Sequence, residues 1–163
     1  MGDFFLANKQ QAGRSAYLKA MGEITLSWNQ LRTSIESVVW RVASLDPQWG
    51  RTFTNEAPTM FVLNTLKTLV NHIDNGGRKY KALLKVVKLV NAARSERNDI
   101  IHALWSFDAD GSATIIEASA TEQLKISGSP RYQTPNDVME VNAKIQAADK
   151  ALEAWIKVWR APS

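Results

Sequence analysis

The fold is decided by residues 78–104, RKYKALLKVVKLVNAARSERNDIIHAL. At about 100° per residue of an α-helix, the apolar side chains of the first half share one arc: Leu83, Leu84, Val87 and Val90. The lysines occupy the opposite side of the helix: Lys81, Lys85 and Lys88. This separation of an apolar face from a charged face predicts an amphipathic helix that packs on a core.

The second half of this helix differs, because polar residues continue the arc that was apolar in the first half. They are Asn91, Arg94, Arg97, Asn98 and His102, with Ile101 and Trp105 among them. A neighbouring strip stays apolar: Val86, Leu89, Ala93, Ile100 and Leu104. Burying an unpaired polar group costs on the order of 1–3 kcal/mol, and more for a charge. We therefore expect a paired internal network, a helix end whose cations complement the helix dipole, or a cleft that binds a partner.

Three further long helices are predicted from apolar residues that recur every three or four positions. The first covers residues 15–45 and the second covers residues 58–75, where Gly76 and Gly77 follow. The last covers residues 135–160, with Thr134 as its N-cap and proline in its first position. Residues 46–57 combine turn formers with no apolar period, which predicts a loop.

The segment between the third and the last long helix has a different pattern. Residues 105–119, WSFDADGSATIIEAS, place a turn at residues 108–111 between two short β-prone runs, which predicts a hairpin. A further strand is predicted at residues 124–126. The sequence thus predicts one domain over residues 1–163, an all-α four-helix bundle with a small β-hairpin inserted between the third and last long helices.

Composition narrows the classes of chemistry. The 163 residues include no cysteine and only two histidines, so disulfides, thiolate catalysis and cysteine-based metal sites are excluded. No metal or cofactor is expected. The formal net charge of +4 is compatible with an anionic partner. We see neither a secretory signal nor a membrane span of roughly 18 apolar residues, and therefore expect a cytoplasmic protein with no membrane partner.

The six residues RNDIIH, from Arg97 to His102, resemble the Arg-x4–6-His motif of HEPN domains. The resemblance includes the polar residue, often asparagine, that directly follows the arginine. It also includes the position of the motif late in a helix of a four-helix bundle. It is strict over these six residues and architectural over about 130.

The resemblance implies a metal-independent endoribonuclease that works as a homodimer, with the motif-bearing helices of two protomers meeting in one composite cleft. Arg97, Asn98 and His102 match the motif and would be the catalytic residues. Histidine suits proton transfer at the attacking 2′-hydroxyl and the leaving 5′-oxygen of RNA, because its unperturbed pKa is near 6.5. The planar fork of arginine matches phosphate oxygens. Asn98 lies one turn before His102, so its amide would orient the imidazole or contact the phosphate.

Helix geometry adds an independent reason to expect a dimer. Arg97 and His102 point about 140° apart on one helix, so a single protomer aims them poorly at one atom. Two facing protomers would combine the arginine of one with the histidine of the other. Four further residues are candidates for binding RNA: Arg94, Lys81, Lys85 and Lys88.

The expected partners are RNA, a second copy of the chain and, if the protein is a toxin or a phage-defence effector, a cognate antitoxin. Two other readings stay open. In the first, the chain is a non-catalytic HEPN-like module that binds nucleotide, RNA or protein. In the second, it is an unrelated helical adaptor in which Arg97 and His102 are structural. For the lysines, the other reading is that they form the solvated face of an ordinary helix, which is the more common role of such a run.

Overall fold

A computed structural model describes residues 2–108, 112–116 and 131–160. Within these ranges the chain is mostly helical and carries one small antiparallel sheet, which confirms the predicted helical class with its hairpin. The helices are α1 Gly2–Val42, α2 Pro47–Thr54, α3 Thr59–Asp74, α4 Arg78–Ile101 and α5 Pro135–Arg160. The strands are β1 Leu104–Phe107, β2 Ala113–Ile116 and β3 Arg131–Gln133. In these ranges no helix is both long and apolar enough to cross a membrane.

Helix α1 begins 13 residues before the predicted start at residue 15 and ends at Val42, three residues before the predicted end. Its end is a Schellman motif, in which Leu45 donates its backbone N–H to Trp40 O and Ser44 donates to Arg41 O. Ser44 adopts the left-handed conformation that this motif requires, with φ of 54°. The helix therefore stops through its own hydrogen bonds, before the Asp46-Pro47 pair is reached.

The prediction of a loop over residues 46–57 is wrong, because helix α2 forms there. Asp46 caps it by accepting the backbone N–H of Gln48 at 2.8 Å. Gly50 packs against the ring of Trp40 so closely that a Cβ at this position would lie 2.4 Å from Cγ of that ring. The Trp40 indole also donates to Thr54 Oγ1 at 3.2 Å. The Asp46-Pro47 pair is a local signal for a helix start, with an N-cap followed by proline. It was interpreted only as the end of the preceding helix, so α2 was missed.

Helices α3 and α4 occupy nearly their predicted positions. Asn75 and Gly76 separate them with left-handed φ values of 46° and 71°. Asp74 accepts the backbone N–H of Tyr80 at 2.8 Å and so caps the first turn of α4. Helix α4 ends at Ile101, three residues earlier than predicted, and β1 follows after two residues.

The predicted hairpin is confirmed as strands β1 and β2, which pair antiparallel with Phe107 opposite Ala113. Strand β3 pairs antiparallel with β2 on its other side. The predicted third strand at residues 124–126 and most of the predicted turn at residues 108–111 lie outside the described residues. Helix α5 starts where expected, because Thr134 and Asp137 exchange two capping hydrogen bonds of 2.7 and 3.2 Å. The hydrogen bonds from Thr134 hold the pKa of Asp137 below its usual value.

The chain divides into two compact units, each discontinuous in sequence. Unit 1 comprises Met1–Leu26 and Ala93–Ala143, and unit 2 comprises Ser27–Ala92 and Lys144–Ser163. Unit 2 has a core of large aliphatic side chains, among them Leu31, Ile35, Leu63, Leu66, Leu83, Ile145 and Leu152. The buried residues of unit 1 are fewer within the described ranges: Tyr17, Ala20, Ile24, Ala93, Ile100, Ala113, Val138, Val141 and Asn142. That residues 1–163 form one domain stays a prediction.

Candidate functional site

The Arg97–His102 motif occupies the last turns of α4, in unit 1. Ala93 and Ile100, which are 0% and 3% exposed, anchor this part of the helix to the core. They lie about 20° apart around the helix axis, so they define its inward direction. The buried face of this part of the helix is therefore the apolar strip that includes Ala93 and Ile100. Asn98 and His102 lie on a different side of the helix.

This inward direction separates the three motif residues. Arg97 lies about 40–60° from the two anchoring residues and Asn98 lies about 140° from Ala93; both side chains are half-buried. His102 lies about 180° from Ala93, and its side chain is exposed. The expectation that these polar groups continue the core-facing arc is therefore wrong for His102, because the apolar face of α4 rotates between its first and second halves.

Arg97 and Asn98 are joined directly. The guanidinium Nη1 of Arg97 donates to Asn98 Oδ1 at 3.0 Å. Burial lowers the pKa of Arg97, although a guanidinium stays charged at physiological pH. Asn98 lies about 100° from Arg97 and about 40° from His102 on the helix. The hydrogen bond therefore turns the cationic group of Arg97 toward the side of α4 that carries His102.

The position of His102 is held from both sides along the chain. Its backbone N–H donates to Asn98 O at 3.0 Å, which continues the helical pattern one residue beyond Ile101. The indole Nε1 of Trp105, the second residue of β1, donates to Ile100 O at 2.9 Å and so satisfies a terminal carbonyl of α4. His102 thus lies in a two-residue connection with a hydrogen bond on each side, and its side chain is exposed.

An aromatic cluster supports this connection. The Tyr17 ring, which is buried, contacts the rings of Trp105 and Phe107, each at 5.6 Å between centroids. The guanidinium of Arg14 lies 6.0 Å above the Phe107 ring. Sequence reasoning placed Trp105 both on the helix arc and in the predicted hairpin, and it missed this cluster because it did not pair Tyr17 with either ring. The alternation in Trp105, Ser106 and Phe107 was the available signal of a strand face.

Three further charged side chains lie in these turns: Arg94, Glu96 and Asp99. Arg94 is half-buried, and its Nε has no hydrogen-bond partner in the described part of the chain. Leaving a buried donor unsatisfied costs on the order of 1–3 kcal/mol. Asp99 is exposed and forms no salt bridge with any described residue.

The three predicted RNA-binding lysines of α4 lie in unit 2, and all are exposed: Lys81, Lys85 and Lys88. None of them forms a salt bridge with a described residue. Unit 2 contains 13 lysines and arginines against six carboxylates, a net charge of +7, whereas unit 1 contains seven against ten, a net charge of −3. The excess positive charge of the protein therefore belongs to the unit with the lysines and not to the unit with the motif.

Within the described residues, no group of three or more His, Asp or Glu side chains is placed to hold a metal ion. No protein-family model matches the chain, and comparisons with curated proteins and with solved structures give no match. The chemical roles of Arg97, Asn98 and His102 therefore have to be judged from their own geometry.

Proposed function

We propose that the protein is a metal-independent endoribonuclease of HEPN type, with Arg97, Asn98 and His102 as its catalytic residues. One observation carries the proposal: Asn98 holds the half-buried Arg97 by a hydrogen bond of 3.0 Å, one turn before an exposed histidine at the helix end. A guanidinium held by a hydrogen bond and an exposed imidazole thus lie in the last turns of one helix, which supports a role in binding phosphate and in proton transfer. A purely structural arginine would not require an exposed histidine beside it.

The reaction that suits these groups is transesterification within RNA. His102 accepts the proton of a ribose 2′-hydroxyl, whose oxygen then attacks the adjacent phosphorus. The bond from phosphorus to the 5′-oxygen breaks, and this oxygen takes up a proton from a second histidine or from water. The products carry a 2′,3′-cyclic phosphate and a 5′-hydroxyl. Arg97 stabilises the charge on the non-bridging oxygens.

We propose further that each site combines Arg97 of one protomer with His102 of its partner. The ideal separation of about 140° on one helix favours this arrangement, and the exposure of His102 leaves it free to act on a phosphate held by another chain. The hydrogen bond to Asn98 turns the guanidinium of Arg97 toward the side of the helix that carries His102. Whether Arg97 acts with His102 of the same or of the other protomer is therefore tested separately, with heterodimers. By the same resemblance to HEPN proteins, the biological role we propose is that of a toxin or phage-defence effector with a cognate antitoxin.

The direct experiment measures cleavage of labelled single-stranded RNA in EDTA by the wild type, His102→Ala and Arg97→Ala. We expect His102→Ala to lose about 100-fold or more in rate, the usual range for a lost acid–base group. Arg97→Ala should also lose about 100-fold or more, the range for a lost donor to the charge of the transition state. The matched controls are His72→Ala and Arg78→Ala, which remove an exposed histidine and an exposed arginine of unit 2. Both controls should cleave like the wild type, and circular dichroism should be the same for all variants.

Two results would decide against the proposal. If the wild type and both motif variants give the same RNA pattern, the cleavage comes from another source. If the wild type binds RNA without cutting it, the alternative holds, and the protein is a non-catalytic HEPN-like module that binds RNA.

A further inference from the structure

The part of α1 that belongs to unit 1 exposes apolar side chains on one side. Its inward side is buried: Tyr17, Ala20 and Ile24. On the opposite side, Leu18 is 54% exposed and Leu26 is 67% exposed. We call this side the α1 face; its members are all exposed and uncharged, and they lie within about 60° of Gly22 around the helix axis: Ser15, Leu18, Gly22, Thr25 and Leu26. The hydroxyl of Thr25 is satisfied within the helix, because it donates to Met21 O at 2.9 Å.

Gly22, at the centre of the α1 face, is not required by the packing of its own chain. Beyond its own turn of helix, a Cβ at this position would meet no heavy atom of the described residues within 4 Å. Its φ is not in the left-handed range that favours glycine. Glycine in the middle of a helix lowers stability relative to alanine, so alanine would serve better if this face met only water. A glycine here allows a second backbone to approach closely.

The two exposed leucines are symmetric about this glycine, since Leu18 lies four residues before Gly22 and Leu26 four residues after it. A contact related by a two-fold axis needs a surface that is complementary to itself. We propose that the α1 face binds the α1 face of a second copy of the chain, with the two helices antiparallel and crossing at Gly22. Leu18 then lies at the level of the partner's Leu26, and Leu26 at the level of the partner's Leu18. A different partner protein would not require this symmetry.

The charges at one edge of the α1 face fit the same arrangement. Lys19 and Glu23 lie about 60° and 100° from Gly22 around the axis, and neither forms a salt bridge with a described residue. In the antiparallel pair, Lys19 lies on the same side as the partner's Glu23 and about 3 Å from it along the axis, which is two residues of helical rise. The two-fold axis repeats this attraction. Parallel helices would instead place both charges beside the partner's Met21 and the partner's Thr25, without any charge to attract them.

Cysteine cross-linking of the full-length chain tests the crossing point, because the sequence contains no cysteine. Under mild oxidation Gly22→Cys should form a disulfide-linked dimer, since the two thiols would meet at the two-fold axis. Thr68→Cys, at an exposed residue of α3, controls for random collision and should remain monomeric on a non-reducing gel. A mixture of Leu18→Cys and Leu26→Cys should also cross-link. Neither should do so alone, because equivalent residues would lie about 12 Å apart along the axis, beyond the reach of a disulfide.

Sedimentation equilibrium measures what each side chain contributes to the dimer. Leu18→Gln should weaken dimerisation about tenfold, because symmetry removes the leucine from both sides of the contact. Ile73→Gln, at a residue of α3 that is 55% exposed, is the matched control and should have no effect. Lys19→Glu should weaken dimerisation about threefold, and adding Glu23→Lys to it should restore the wild-type value.

Three results would overturn the proposal: a monomer at every concentration, cross-linking of Gly22→Cys no faster than that of Thr68→Cys, or cross-linking of Leu18→Cys alone. The inference concerns α1 and does not depend on the proposed ribonuclease activity. A wild-type dimer without the Gly22→Cys cross-link would contradict this inference and leave the proposed pairing through the motif-bearing turns of α4 unaffected.

Discussion

The two halves of α4 treat polar residues in opposite ways. In the first half, which belongs to unit 2, the core side is filled by Leu83, Val87 and Val90, and the lysines project into solvent. In the second half, which belongs to unit 1, only Ala93 and Ile100 are buried. Arg97 and Asn98 are half-buried beside them and bonded to each other.

We infer from this difference that the first half of α4 serves mainly to stabilise the fold and that the second half carries the proposed site. The first half has the plain separation of faces that stability requires. The second half has fewer buried apolar side chains, and its half-buried Arg97 is hydrogen-bonded to Asn98, an arrangement that suits the proposed contact with phosphate. If this is correct, substitutions in the first half should change stability or general RNA affinity, and those in the second half should change chemistry.

The largest effect on stability should come from the core of the first half. Leu83 is completely buried, so Leu83→Ala should lower the free energy of unfolding by about 2–5 kcal/mol. Leu89→Ala, on the same helix at 47% exposure, is the matched control and should change it by less than about 0.5 kcal/mol. Urea unfolding followed by circular dichroism gives both values. The cleavage rate per folded molecule should not change. A specific loss of cleavage in Leu83→Ala would contradict the claim that the first half of α4 affects stability and not chemistry.

A smaller effect is expected where β1 meets the end of α4. Trp105→Phe keeps a ring but removes the hydrogen bond to Ile100 O, which should cost about 1 kcal/mol in the free energy of unfolding. Because this bond fixes the connection that carries His102, the variant should also cleave RNA more slowly. Trp49→Phe, at a residue that is 65% exposed, should leave both quantities unchanged. Normal cleavage by a destabilised Trp105→Phe would show that the connection does not position His102.

The smallest effect on stability should come from the lysines. Replacing Lys81, Lys85 and Lys88 together by glutamine should change the free energy of unfolding by less than about 0.5 kcal/mol, because all three are exposed. RNA binding should weaken, and the slope of log affinity against log salt should fall by about 2, or roughly 0.7 for each lost phosphate contact. Filter binding at several salt concentrations gives the slope. An unchanged slope would identify the lysines as an ordinary solvated face.

Features that depend on neighbouring residues were predictable from the sequence. The apolar period placed α3, α4 and α5 to within a few residues, and the capping pattern at Thr134 marked the start of α5 correctly. The motif residues were found for the same reason, since Arg97, Asn98 and His102 lie within one short segment. Their side-chain types and spacing can be taken directly from the sequence, although their catalytic role stays a prediction.

Features that depend on distant residues were missed. Helix α2 packs its Gly50 against the ring of Trp40, and the sequence of residues 46–57 alone does not predict that contact. The hydrogen bond between Gln30 and Asp149 joins side chains that are 119 positions apart in the sequence. The exposure of His102 was also missed, because a helical wheel drawn from the first half of α4 assumes that the buried face keeps its direction.

The central claim is that Arg97 of one protomer acts with His102 of the other, and two purified heterodimers test it most directly. Each is made by co-expressing differently tagged chains and selecting for both tags. A dimer of Arg97→Ala with His102→Ala retains one complete pair across the interface and should show about half of the wild-type cleavage rate. A dimer of the wild type with a chain carrying both substitutions has no complete pair and should be nearly inactive. The reverse outcome, or a strictly monomeric protein that cleaves RNA, would contradict the account.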